Sequence, residues 1–262
     1  MRRFAGIVLA FLALALVPAH AAERKAEASP FIFSPSALAP APSRGWVVLL
    51  PGEDELSFTA IQSHYEKTAL LLTANGFDTL IVPYEEAFDE DVDGDADSAG
   101  ERIAAVTLRA VRWMHQAHPD LDDKPGAVIT WGEGSEGLWL LAKAGTAYPL
   151  PDLTIAVAYY PGFGPDLGFD SRVPVLVQVG QEDETLHTLR HVARAEGSVE
   201  PELAIYEDAR RGFDIERFDK PKTVRSMPWI GTPVTYTYNA AAARAGQQKM
   251  LAFLKSRLEA PE

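Results

Sequence analysis

The chain has 262 residues, 47% of them hydrophobic, and a formal net charge of −13. That apolar content suits one sizeable α/β domain and excludes global disorder, while the acidic balance excludes nucleic acid and anionic membrane surfaces as natural partners. The absence of cysteine excludes disulfides, a thiol nucleophile, cysteine metal ligands and a lipidated cysteine.

The N-terminus reads MRRFAGIVLAFLALALVPAHAAERK. Arg2 and Arg3 precede an apolar stretch over 5–17, and Ala19-His20-Ala21 supplies a small-x-small cleavage site. This is the layout of a secretory signal peptide, and the apolar run is short for a membrane span. Removing 1–21 takes away two positive charges and no acid, leaving −15. The expectation is a periplasmic or secreted protein with no stable membrane insertion after cleavage. Residues 22–44 are rich in Ala, Pro and Ser and read as an extended arm on the domain surface.

After the arm, short apolar runs alternate with helical patterns. Strands are predicted over 46–50 (WVVLL), 79–82, 127–131, 154–159, 173–179 and 203–206. Helices are predicted over 58–75, with Ile61, Tyr65 and Leu72 on one face, and over 102–115, 135–143 and 185–194. The last helix is predicted over 240–258, with Met250, Leu254 and Leu258 in line. The strands are continuous apolar runs, which suits a parallel sheet buried on both faces. The predicted architecture is α/β: one mostly parallel, doubly wound sheet over 45–258 with helices on both faces.

Six stretches carry a resemblance. In chain order they are WVVLLPGEDEL, TWGEGSEG, AVAYYPG, VPVLVQVGQED, AIYEDARRGFD and YNAAAARAGQQKMLAFLKSRL. Their order and spacing, from about Gly45 to Leu258, resemble the dienelactone hydrolase family of α/β-hydrolases. The resemblance implies an oxyanion-hole loop after the first long strand, a nucleophile elbow at TWGEGSEG, a triad acid at Asp183 and a triad histidine in AIYEDARRGFD. The triad order in this fold is nucleophile, acid, histidine.

The residues depart from that pattern at two of three positions. The elbow turn is so tight that the residues two before and two after its apex must be small. With Ser135 at the apex, the residue two before is the bulky, charged Glu133. With Gly132 at the apex, the flanking residues are Thr130 and Gly134, and the apolar strand ends at Trp131. Sterics place Gly132 at the nucleophile position, and glycine has no attacking atom. Where the family has His-Gly-Phe, this chain has Arg211-Gly212-Phe213, and no histidine follows His191. Arginine stays charged at any workable pH and cannot act as a general base. Asp183 remains, and a bidentate pair between Asp183 and Arg211 is the expected replacement for the lost acid–histidine contact.

The resemblance also implies a ligand pocket at the strand ends near Gly52, Glu53, Glu133 and Tyr160. Asp89, Asp91, Asp93 and Asp97 form a weak calcium-loop pattern, with Gly100 where the loop needs a bidentate glutamate. The histidine pairs His115/His118 and His187/His191 have metal-ligand spacing without an evident third ligand. No cofactor is called for. The expected protein is an exported, catalytically impaired hydrolase relative that binds a small molecule or a protein partner. The alternative is an active hydrolase of small esters or lactones using Ser135.

Overall fold

The computed structural model of the chain describes residues 29–37, 42–52, 58–94, 96–162, 170–191, 198–224 and 233–258. Its elements begin with β1 (Ile32–Ser34), β2 (Trp46–Leu50), α1 (Phe58–Thr73), β3 (Asp78–Ile81), the single-turn helices α2 (Tyr84–Ala87) and α3 (Glu90–Asp93), and α4 (Ala99–Ala117). There follow β4 (Gly126–Trp131), α5 (Gly134–Ala142), β5 (Leu153–Tyr159), β6 (Val175–Gly180), α6 (Leu186–His191) and β7 (Glu202–Tyr206). A small ribbon, β8 (Lys222–Val224) and β9 (Val234–Tyr236), precedes α7 (Ala240–Leu258).

Seven strands form one sheet in the order β1-β3-β2-β4-β5-β6-β7, with β4 at its centre. All neighbours run parallel except β1, which pairs antiparallel with β3. Every residue of β2, β3, β4 and β6 is buried. Their continuous apolar runs therefore serve two cores at once. In β2, Val47 and Leu49 face the core under α1 and α7, while Trp46, Val48 and Leu50 face the core under α4 and α5. Helix α4 is fixed at its start by a capping box, in which Ser98 and Glu101 satisfy each other's backbone N–H groups. Helix α5 lies close on α4 because Gly137 has no side chain: a Cβ there would sit 2.3 Å from Ile103 Cγ2. β7 pairs with β6 alone among the described residues and leaves Leu203 and Ile205 about two-fifths exposed (42% and 40%).

One expectation changes. The arm is not wholly a surface leader, because Ile32–Ser34 hydrogen-bonds along β3 and enters the sheet as β1. The acidic stretch contains the short helix α3. Asp89 caps α3 by accepting the N–H of Asp91, and Asp93 is held by Arg109, with Oδ1 2.7 Å from Nε. Asp97 donates its own N–H to Glu101. Among the described residues no group of three or more His, Asp or Glu side chains converges as a metal site. The predicted signal peptide lies outside the described residues. No described helix is long and apolar enough to cross a membrane.

Candidate functional site at the C-terminal edge of the sheet

Strand β4 runs into a tight turn at Gly132, whose φ is +47°. This is the left-handed region, which glycine enters without the strain a Cβ brings. The Gly132 N–H donates to Tyr159 O at 3.1 Å, and its own carbonyl accepts from Ser135 N (3.2 Å) and Gly162 N (2.8 Å). Two residues on, a Cβ at Gly134 would lie 2.6 Å from Pro51 O and 2.8 Å from Leu50 O. The start of α5 thus presses against the end of β2, and only glycine fits. Two residues back, Thr130 is fully buried.

Ser135 sits in the first turn of α5 with no exposed surface. Its Oγ lies 2.7 Å from Thr130 Oγ1, so the two hydroxyls satisfy each other between helix and strand. This contact turns Ser135 back into the packing. Gly52 follows β2 and is pressed against the turn: a Cβ there would meet Trp131 O at 2.4 Å. Its N–H donates to the Tyr65 hydroxyl at 3.0 Å. Glu133 is half-buried beside Gly132. Glu53 and its acidic neighbours Asp54 and Glu55 lie outside the described residues.

Asp183 stands in the turn after β6 and is buried. Its Oδ1 accepts the N–H of Thr185 at 2.7 Å and the hydroxyl of Thr185 at 2.6 Å, while Oδ2 has no hydrogen bond. Burial raises its pKa above the ordinary 3.8, against the opposing pull of the Arg211 charge and the Thr185 bonds. Arg211, fully buried, does not pair with it as expected from the sequence. Its Nη1 donates to Tyr160 O at 2.7 Å and its Nε to the Tyr236 hydroxyl at 3.2 Å. The guanidinium also lies over the Tyr160 ring, 5.1 Å from its centroid, and 5.9 Å from that of Tyr236. Tyr160 has a φ of +35°, rare for a side-chain-bearing residue; its carbonyl takes the Arg211 Nη1 donor, while the guanidinium lowers the Asp183 pKa through its charge.

Tyr160 continues the network. Its hydroxyl donates to Asp214 Oδ1 at 2.9 Å, and burial, reinforced by the Asp214 charge, pushes its pKa well above the ordinary 10.0. Asp214 also accepts the Trp131 indole N–H on Oδ2 at 2.8 Å, and His64 Nε2 lies 3.3 Å from that oxygen. His64 and Asp214 were not singled out in the sequence. They stand 150 positions apart, and no local pattern links an α1 histidine to the acid ending ARRGFD. Of the other described histidines, His115 Nδ1 is 2.9 Å from Asp122 Oδ1, His118 stacks on Phe33, and His187 is exposed. The His191 side chain lies outside the described residues.

The edge therefore brings Gly52, Gly132, Tyr160 and Arg211 together with Asp183 close by, and leaves Ser135 in the core. It holds a left-handed glycine at the turn after β4 and a buried guanidinium over the Tyr160 ring.

A seven-stranded, mostly parallel sheet with helices on both faces and a glycine-tight strand–turn–helix after its central strand is the α/β-hydrolase fold. Solved structures agree. The chain superposes on dienelactone hydrolase from Anabaena variabilis with a TM-score of 0.56 and 15% identity, over 87% of this chain and 91% of that one. It superposes on Thermogutta terrifontis esterase 2, phosphoramylated by tabun, with a TM-score of 0.53 and 14% identity, over 88% and 91%. An acylaminoacyl peptidase gives 0.51 and 9% identity, over 88% of this chain and 40% of the peptidase. No protein-family model and no curated protein matches the chain by sequence. At these identities the likeness establishes the fold.

Proposed function

We propose that the chain is an exported, non-hydrolytic protein of the α/β-hydrolase fold that works by binding a small ligand or a protein partner. The observation that carries this reading is Gly132 at the elbow with its φ of +47°. An acyl-transfer elbow needs a side-chain oxygen or sulfur at that residue. Two further features agree with it. Arg211 cannot take a proton from a nucleophile, and the Gly52 N–H, next to where an oxyanion donor belongs, is already bonded to Tyr65. Export rests on the basic start, the apolar stretch and the Ala19-His20-Ala21 site.

The mature chain should neither hydrolyse p-nitrophenyl acetate above the Ser135→Ala background nor react with a fluorophosphonate probe. Labelling that disappears in Ser135→Ala would establish the alternative, a serine hydrolase, and overturn the proposal. N-terminal sequencing of the periplasmic fraction should begin at residue 22 or 23. Full-length chain recovered from membranes would overturn the export reading.

A further inference from the structure

Beside Trp131, on the face of the sheet covered by α1 and α7, lies a partly open cavity of about 300 Å³ bordered by the turn after Asp214. That is the lower end of the size range of small-molecule sites. Its apolar wall includes Ile61 and Ile215, both buried, and Tyr238. At its inner end stand His64, with a side chain only 11% exposed, and Asp214. At its outer end stand Arg217 and Arg244.

The charges around this cavity are unequal in what they do. Lys67 and Glu216 pair with each other. Asp214 has taken the hydrogen bonds of Trp131 and Tyr160 and faces His64. Arg217 and Arg244 are exposed, and their side chains enter no ion pair or hydrogen bond with a described residue. On a chain of net charge −13 with 37 acidic residues, Arg217 and Arg244 bring two positive charges to one cavity mouth. A guanidinium presents a planar fork that matches a carboxylate. The buried Asp214 behind His64 repels a second negative charge at the inner end. The site thus fits a ligand with one anionic end, an apolar body and a neutral inner end.

We propose that this cavity binds a small organic monocarboxylate, its carboxylate held by Arg217 and Arg244 and its neutral end received by His64. His64 is a positioning and hydrogen-bonding group here, kept in place by Asp214 and by edge-on contact with Trp131 (ring centroids 5.4 Å apart, 87° between planes). His64, Arg217 and Arg244 lie outside the strand-edge turn, so their binding is read separately from the hydrolysis test.

The test uses the mature chain and three acids, benzoate, 4-hydroxybenzoate and hexanoate, each beside its neutral amide. Binding is read by calorimetry and by the NMR signals of the His64 ring and the arginine Nε–H groups. At least one acid should shift the His64, Arg217 and Arg244 signals and bind at least about tenfold more tightly than its amide, about 1.4 kcal/mol. The double variant Arg217→Gln/Arg244→Gln removes only exposed side chains and should fold normally, yet lose about tenfold or more in affinity for that acid. His64→Phe should weaken binding with both arginines intact. Three results would each overturn the proposal: no acid shifts these signals at about 10 mM, a range that covers even weak millimolar binding; acid and amide bind equally; or the acids act on Gly132, Tyr160 and Arg211 instead.

Discussion

Arg211 and Arg217 stand six positions apart in the chain and are used in opposite ways. Arg211 is fully buried, and its guanidinium is occupied by a tyrosine carbonyl, a tyrosine hydroxyl and two aromatic faces. Arg217 is exposed at the mouth of a cavity with its donors unpaired among the described residues. The same contrast separates the two regions around them. At the strand edge, Ser135 and Thr130 bond to each other, Gly52 bonds to Tyr65, and Tyr160 bonds to Asp214. In the cavity below Trp131, cationic groups are left facing open space. Polar groups that satisfy one another hold a fold together, while groups left unsatisfied toward a cavity are available to a ligand. At the strand edge the described polar groups are taken up in packing.

Substitution of the two arginines breaks or upholds that comparison most directly. Arg211→Ala should cost about 3 kcal/mol in urea denaturation, since it opens a cavity and strips a buried carbonyl of its donor. Arg217→Ala should stay within about 0.5 kcal/mol of the parent. Equal effects would show that the contrast is wrong. Gly132→Ala comes next: a Cβ at a φ of +47° should cost on the order of 1–2 kcal/mol. Gly132→Ser should cost the same and, on the proposed non-hydrolytic reading, confer no esterase activity, because Arg211 cannot act as a general base. Ser135→Ala should lose about 1 kcal/mol, the worth of its bond to Thr130, and leave every activity unchanged.

The smallest effect is a pH dependence. The pKa of Asp183 in the fold lies above the ordinary 3.8. Below the unfolded pKa the carboxyl is neutral in both states and has no effect. As pH rises through the interval between the two values, the folded state binds more protons than the unfolded one, and stability falls. Asp183→Asn should therefore match the parent near pH 3 and be modestly more stable at pH 7. A variant less stable than the parent at pH 7 would mean that the carboxylate's charge supports the fold.

Helix α7 was legible at both ends, because Met250, Leu254 and Leu258 repeat at helical spacing through a 19-residue run. The sheet core was legible because strands buried on both faces read as unbroken apolar runs. β1 was not, since three residues paired mainly through backbone groups leave little pattern in an Ala/Pro-rich arm. The β8–β9 ribbon was missed for the same reason of length. At the site, the small residues around Gly132 could be read from the steric demands of the turn. The direction of the Arg211 donors could not, because their acceptors, the Tyr160 carbonyl and the Tyr236 hydroxyl, lie far away in the chain. Nor could the His64–Asp214 contact, which exists only once α1 and the turn after Arg211 meet across the sheet.

β7 ends the sheet with one row of backbone donors and acceptors that no described strand covers, and it carries Leu203 and Ile205 exposed. An edge of this kind is a template for strand addition by another copy. What stands against it is repulsion, by the Glu202 and Glu207 charges at its ends and by the acidity of the whole chain. Lys249 already neutralises one of those glutamates. Colloidal stability in this protein is thus an ionic-strength-dependent property. At about 1 M salt the screening length falls to about 3 Å and copies no longer repel at a distance. Concentrated solutions should scatter more light as salt is added, and a lysine at Ile205 should suppress that rise.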